Sequence, residues 1–432
     1  MSRRADPAAP GVATSVPAGD GTTLLTGYVV LLLLIPSAYV VGPLGAAGTP
    51  AQVFAMAMAL WWVGRRLARP RAAAPRPQPV RAALLVLLGA ALASYAAANL
   101  RAIEGVEATA ADRGLLTLVA LLGVVLVAGD QIPSRHRLDV LLRRLVLLGA
   151  AVAAFGLVQF VTGSSFLEYL RPPGLVVNSA LVGVGERGGF SRPAATALSP
   201  IEFGVAMTML LPLAVHYALH DAHRGRLVRW VPVALLALAV PVAVSRSAIL
   251  GAAIAFALML PTMTPRARRG AVLAALGLVA LVYVAVPGML GTLLRLFTGI
   301  GDDASAESRT SSYGLAWEFI SHSPVVGRGF GTFLPEYRIL DNQFLLTTIE
   351  MGVLGLLALL GLLGTGAVVA ARIARAHRRA DAGRLAQALL ASLAAGAASF
   401  ALFDALSFPI VAGLTVLVLG AVGALHGLVR AP

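Results

Sequence analysis

The chain has 432 residues, of which 58% are hydrophobic and 12% charged, and its mean hydropathy is +0.84. A soluble domain carries about 25% charged residues, so the composition excludes a globular water-soluble enzyme and predicts an all-α, polytopic membrane protein. Cysteine is absent, which excludes disulfides and thiolate metal sites. All 34 basic residues are arginine, and the net charge is +14.

Met1 to Thr23, rich in Ala, Pro and Gly and without a signal-peptide apolar core, predicts a disordered cytoplasmic tail (1–23). Residues 24–428 then form a single transmembrane domain. Its apolar runs predict about twelve helices, at 24–41, 51–64, 82–98, 114–129, 145–162, 197–219, 231–244, 247–261, 271–288, 344–371, 386–403 and 410–428. The stretch 231–261 is divided into a hairpin at Ser245-Arg246-Ser247. As one helix it would reach about 47 Å, well beyond a ~30 Å hydrocarbon core, and would hold Arg246 inside the membrane.

Arginine placement supports this count. With the N-terminus inside, 24 of the 34 arginines fall in the tail, in the even-numbered connections and at the C-terminus. That is the positive-inside pattern. The basic charge is then a topology signal and an attraction to anionic lipid heads, not a nucleic-acid footprint.

Two outward loops have length, 163–196 and 289–343. With the Ser245–Ser247 turn they gather Arg171, Arg187, Arg192, Arg246, Arg309, Arg328 and Arg338 beside Glu186, Glu202, Glu318, Glu336 and Asp341. Guanidinium forks bind phosphate oxygens bidentately, and a lipid pyrophosphate at the outer leaflet is a natural ligand. Within the long loop, 305–320 reads as a helix with Arg309, Tyr313 and Trp317 on one face. That face suits a phosphate beside sugar rings, or equally a membrane-surface helix with an aromatic belt residue and a snorkelling arginine. Gly327, Gly329 and Gly331 lack the flanks of a nucleotide loop and predict a tight turn. His216, His220 and His223 share a helix end, where cations are favoured by the dipole, and predict no metal site. His322 is the one histidine on the outer face, an ordinary loop residue or a general base. Asp341 stands just before an apolar run, where an acid either caps the helix or serves as a base.

The Ser-Arg turn, the loop with Arg309 and Trp317, Pro324-Val-Val-Gly-Arg-Gly-Phe-Gly, Asp341-Asn342-Gln343-Phe-Leu and Glu350-Met-Gly-Val-Leu-Gly occur in an order that resembles the O-antigen ligase and O-antigen polymerase superfamily. The resemblance is best over about 197–371. It implies a GT-C-like membrane fold in a bacterial inner (plasma) membrane, both termini cytoplasmic. It also implies transfer of a glycan from undecaprenyl pyrophosphate to an acceptor hydroxyl (on a glycan, lipid or protein) with inversion, and without nucleotide sugar, metal or cofactor. On this resemblance Arg246 and Arg309, with Arg192 nearby in the outer cluster, are the candidates for the pyrophosphate. Asn342 matches the Asn of a His-Asn pair, and Asp341 holds the His place. Tyr313, Trp317, Glu202 and His322 are candidate contacts to glycan or acceptor. The competing readings are a secondary transporter and a non-catalytic partner in glycan export. A transporter usually has two similar halves and charge near the midplane, whereas here the charge gathers at one face and the long loop has no counterpart in the first half.

Overall fold

A computed structural model describes residues 20–68, 78–170, 172–178, 184–221, 223–298 and 304–430, with side chains outside the description at 304–311. The expected tail as far as residue 19, Arg171 and the side chain of Arg309 therefore lie outside the described residues.

Every predicted apolar run falls on its own helix. In chain order these are α1 (Gly21–Leu34), α2 (Pro50–Ala68), α3 (Pro79–Asn99), α4 (Gly105–Gln131), α5 (Arg135–Thr162), α6 (Pro200–His220), α7 (Arg226–Val242), α8 (Arg246–Met259) and α9 (Pro265–Ala285). After α10 (Met289–Thr298) and α11 (Ala304–His322), which occupy the long loop, come α12 (Gln343–Ala376), α13 (Asp381–Ser399) and α14 (Pro409–Arg430). Seven of them, α3, α4, α5, α6, α9, α12 and α14, are long and apolar enough to cross a membrane alone. An eighth crossing arises if α2 and the bent turn of 3-10 helix before it count together. The 14 residues of α1 reach about 21 Å, short of a ~30 Å core.

Local chemistry sets several ends. Asp20 caps α1 by accepting from the Thr23 N–H at 2.9 Å, so the helix opens before the expected residue 24. It stops at Ile35 because Pro36 disfavours helical backbone before it. The rest of the first apolar run turns into β1 (Tyr39–Val40), which pairs antiparallel with β2 (Val176–Val177). A hairpin, β3 (Val184–Arg187) and β4 (Phe190–Pro193), leads into α6.

Side-chain pairs fix which helix ends lie together. Arg137 holds Asp20 at 2.6 Å, Arg81 holds Asp130 at 3.1 Å, Arg143 holds Asp221 at 2.8 Å and Arg135 holds Asp381 at 3.4 Å. The starts of α1, α3, α5 and α13 thus meet the ends of α4 and α6 at one end of the bundle, the basic end. The strands, α10, α11 and the Asp341 segment gather at the opposite, loop end. α7 climbs from the basic end, and α8 returns to place the Leu258 carbonyl 2.7 Å from Gln387 near the start of α13.

The innermost helices are α14 and α6, while α9 buries only Val282. Small residues let helices approach without a water-driven force between them. At Gly123 on α4, an added Cβ would lie 2.7 Å from the Ala55 carbonyl of α2.

One helix is broken. Gly352 in α12 has φ 62° and ψ −166°, outside helical space. The Pro324–Gly329 segment plugs the break: Val353 N–H donates to the Pro324 carbonyl (2.9 Å) and Leu354 N–H to the Val325 carbonyl (3.1 Å). In return Arg328 N–H donates to Ile349 (2.8 Å) and Gly329 N–H to Glu350 (2.9 Å). The Ser94 hydroxyl of α3 adds a 2.7 Å bond to the same Glu350 carbonyl. Backbone groups freed inside an apolar bundle must be paired within the protein, and this loop does so. An added Cβ at Gly327 would meet the Glu350 carbonyl at 2.2 Å, so the glycine run is shaped by that close approach.

Candidate functional site at the loop end

Arg192 and Arg246 come to one turn. Arg192, on β4, donates through Nε to the Ala243 carbonyl at 3.0 Å. Ala243 ends α7, three residues before Arg246 opens α8. Between them Val244 takes φ 43°, an unfavourable backbone for a β-branched residue. The Nη2 of Arg192 is buried and has no hydrogen-bond partner among the described residues. Burial, with the Arg187 charge adding, pushes this guanidinium down to about 10, so it stays cationic at neutral pH. Arg246 is half-buried at the first position of α8.

A second group is built across α12, α13 and α14. Asn342, not Asp341, caps α12: its Oδ1 accepts from the Leu345 N–H at 3.1 Å. Gln343 is buried and clamps the α13–α14 connection from both sides. Its N–H donates to the Phe400 carbonyl (2.8 Å), and its Oε1 accepts from the Leu406 N–H (2.8 Å). Asp404 lies between those two contacts, close enough to Asp341 for its charge to act on the Asp404 carboxyl. Burial raises the Asp404 carboxyl to about 6, and the Asp341 charge adds to that rise. Asp404 is sixty-odd residues from Asp341 and carries no local motif. The sequence reading missed it, and only the Gln343 clamp reveals it.

Helix packing sets the two groups at one level. An added Cβ at Gly251 on α8 would sit 3.3 Å from the Ala395 carbonyl on α13. Arg246 is five residues before Gly251, and Phe400 is five after Ala395, both toward the loop end.

The remaining candidates separate. Glu202 is fully buried, with Oε1 accepting from Ile410 N–H (2.6 Å) and Oε2 from Leu198 N–H (2.7 Å), so its carboxylate fastens α6 to the start of α14. The signal for that role is its spacing from Ser199, whose hydroxyl accepts from the Glu202 N–H at 3.1 Å as in a capping box. Tyr313 (54% exposed) and Trp317 (72%) stand off the face of α11 that packs through Ala316 against Phe333 and Ile349. His322 ends α11, exposed, with Nδ1 2.7 Å from the Glu318 carbonyl. Arg328 is committed to the fold. It pairs with the buried Glu107 at the start of α4, and its guanidinium lies over the Tyr337 ring at 4.5 Å. Arg338 donates to the Ser312 hydroxyl at 3.2 Å and ties the end of the loop to α11. Among the described residues, no group of three or more His, Asp or Glu is arranged to hold a metal ion.

A helical bundle with several apolar crossings and its polar constellation at one end is a multi-pass membrane protein. Residues 231–360, from α7 past the break in α12, match the family model described as O-antigen ligase, and this match supports the O-antigen ligase and polymerase superfamily. The matched segment holds Arg246, Arg309, Tyr313, Trp317, His322, Asp341 and Asn342; Arg192, Glu202 and Asp404 lie outside it. No curated protein matches the chain.

Proposed function

We propose that the protein is a glycosyltransferase of the cell envelope that moves a glycan from undecaprenyl pyrophosphate to an acceptor hydroxyl, as a polysaccharide polymerase or ligase. The observation that carries this reading is the level shared by a cationic turn, Arg192 and Arg246, and the start of α12, where Asp341 stands. In the reaction the acceptor oxygen attacks the anomeric carbon, and the bond from that carbon to the pyrophosphate oxygen breaks. The electron pair leaves with the pyrophosphate, where guanidinium groups, Arg309 included, stabilise the developing charge. The acceptor proton passes to the Asp341 carboxylate. Attack opposite the leaving group inverts the anomeric centre. Asn342 contributes by holding the start of α12, and the aromatic face of α11 offers Tyr313 and Trp317 to sugar rings.

The basic end then lies in the cytoplasm, with both chain termini, and the loop end outside. All twelve helices that carry the apolar runs cross the membrane in this reading, the short α1 and α8 within the bundle. With no native cysteine, an impermeant thiol reagent on intact bacteria should label a cysteine placed at 305 and spare one at 77; the opposite pattern would reverse the orientation. The function is tested with purified protein, an undecaprenyl-pyrophosphate-linked oligosaccharide and a hydroxyl acceptor. Release of undecaprenyl pyrophosphate that depends on the acceptor is expected. Export of intact lipid-linked glycan without bond cleavage would favour the transporter reading.

A further inference from the structure

A cationic recess lies at the basic end, away from the loop end. Between α5, α6 and α7 the surface opens into a recess bearing Arg143, Arg224 and Arg229 with one acid, Asp221. Arg143 and Arg224 both turn to the same Asp221 oxygen, at 2.8 and 3.5 Å. Arg229 has no such partner: its Nε is buried without a hydrogen bond among the described residues. Three guanidinium groups thus face one carboxylate, and the excess positive charge is held in place by the fold.

The rest of the recess is apolar. Ala214 and Pro232 form its inner wall, and Leu147 (43% exposed) and Val228 (52%) continue that wall onto the outer surface of the bundle. Trp230, 41% exposed, stands two residues beyond Val228, where an interfacial indole anchors a helix in the headgroup layer. A cationic pocket joined to an apolar wall at this depth matches a ligand with an anionic head and an acyl tail. A soluble phosphate would leave the apolar wall uncovered, and a zwitterionic head would bring an ammonium toward the arginines.

We infer that this recess binds the phosphodiester headgroup of an anionic phospholipid from the leaflet at the basic end. The inference stands on the α5–α6–α7 geometry and does not depend on the transfer reaction. The full chain in mild detergent is mixed in turn with phosphatidylglycerol, phosphatidylcholine and inorganic phosphate, and native mass spectrometry counts the retained molecules. The wild type should keep one phosphatidylglycerol and shed phosphatidylcholine. Arg224→Gln with Arg229→Gln should weaken retention by about 30-fold, whereas Arg378→Gln with Arg379→Gln, exposed at the same end, should leave it unchanged. Arg143 is kept because it pairs with the nearly buried Asp221. Should the Gln pair fail to fold, Arg229→Gln alone, which breaks no ion pair, carries the test with about fivefold weaker retention. Equal retention of phosphatidylcholine, or equal loss in the Arg378/Arg379 control, would overturn the site. So would millimolar inorganic phosphate displacing the lipid outright.

Discussion

The two ends of the bundle hold their arginines in different ways. At the basic end four guanidinium groups join helix termini through carboxylates: Arg137 with Asp20, Arg81 with Asp130, Arg135 with Asp139 and Asp381, Arg143 with Asp221. Those pairs lock the parity of the termini. At the loop end Arg192 is held by a backbone carbonyl and keeps a buried Nη2 without a hydrogen bond among the described residues, while the half-buried Asp404 carboxyl lies within reach of the Asp341 charge. Separated like charges are costly to bury unless a ligand completes them. Charge satisfied internally marks structure, and the buried Nη2 of Arg192, without a hydrogen bond among the described residues, marks a place for an anionic group.

Arg328 is the informative exception, a loop-end arginine spent on structure. Arg328→Ala leaves Glu107, whose side chain is 2% exposed, without its closest cation. Because Arg101 and the Tyr337 hydroxyl still reach Glu107, the expected cost is about 1.5 to 3 kcal/mol, that of a hydrogen bond to a charged group. Thermal unfolding in detergent measures it, and limited proteolysis should cut first between 299 and 340 as the plug leaves the α12 break. An unchanged melting temperature would move Arg328 from the structural class to the substrate class.

Asp341→Asn sharpens the contrast from the other side. Because Asn342 supplies the cap of α12, the variant should melt within a degree or two of the wild type. Turnover should nevertheless fall on the order of 10²-fold, the usual weight of a general base. Full activity in a stable variant would send the search for the base to His322 or Asp404.

A smaller effect tests the burial of Asp404 through stability. Asp404 is raised from 3.8 to about 6, so between those values the folded chain holds a proton that the unfolded chain has lost. Stability therefore falls as pH rises through that window and stays lower above it. Asp404→Asn should remove this dependence and melt a few degrees higher than wild type at pH 7.5, with little difference at pH 4. A wild-type melting temperature that rises from pH 4 to 7 relative to the variant would contradict the raised Asp404 carboxyl.

Much of this was legible in the sequence, and the reasons differ by feature. The apolar runs announced the helices because burial in a bundle or in lipid requires continuous apolar stretches. The hairpin at Ser245–Ser247 followed from length and from the cost of a buried arginine. The break in α12 was not legible: Gly352 sits in an apolar run like any tolerated glycine, and its partner, Pro324–Gly329, lies across a loop. Glu202 was misread as a contact to the acceptor because its second partner, the Ile410 N–H, is some two hundred residues away. Asp404 was invisible for the same reason. Local chemistry shows in local spacing, while a site assembled by tertiary contact shows only in the fold.

Arg192 and Arg246 at the loop end are kept for a phosphate, whereas Arg137 at the basic end serves the fold. Arg246→Lys and Arg192→Lys keep charge but lose the planar fork that grips phosphate oxygens; Arg137→Lys makes the same change in the Asp20 pair. The direct measurement is turnover of the lipid-linked oligosaccharide per folded molecule in these three variants, beside their melting temperatures. The loop-end variants should lose on the order of 10²-fold in turnover with melting temperatures near wild type, and Arg137→Lys should melt lower while turning over normally. Normal turnover in both loop-end variants, or a loss as large in Arg137→Lys, would contradict the division of labour.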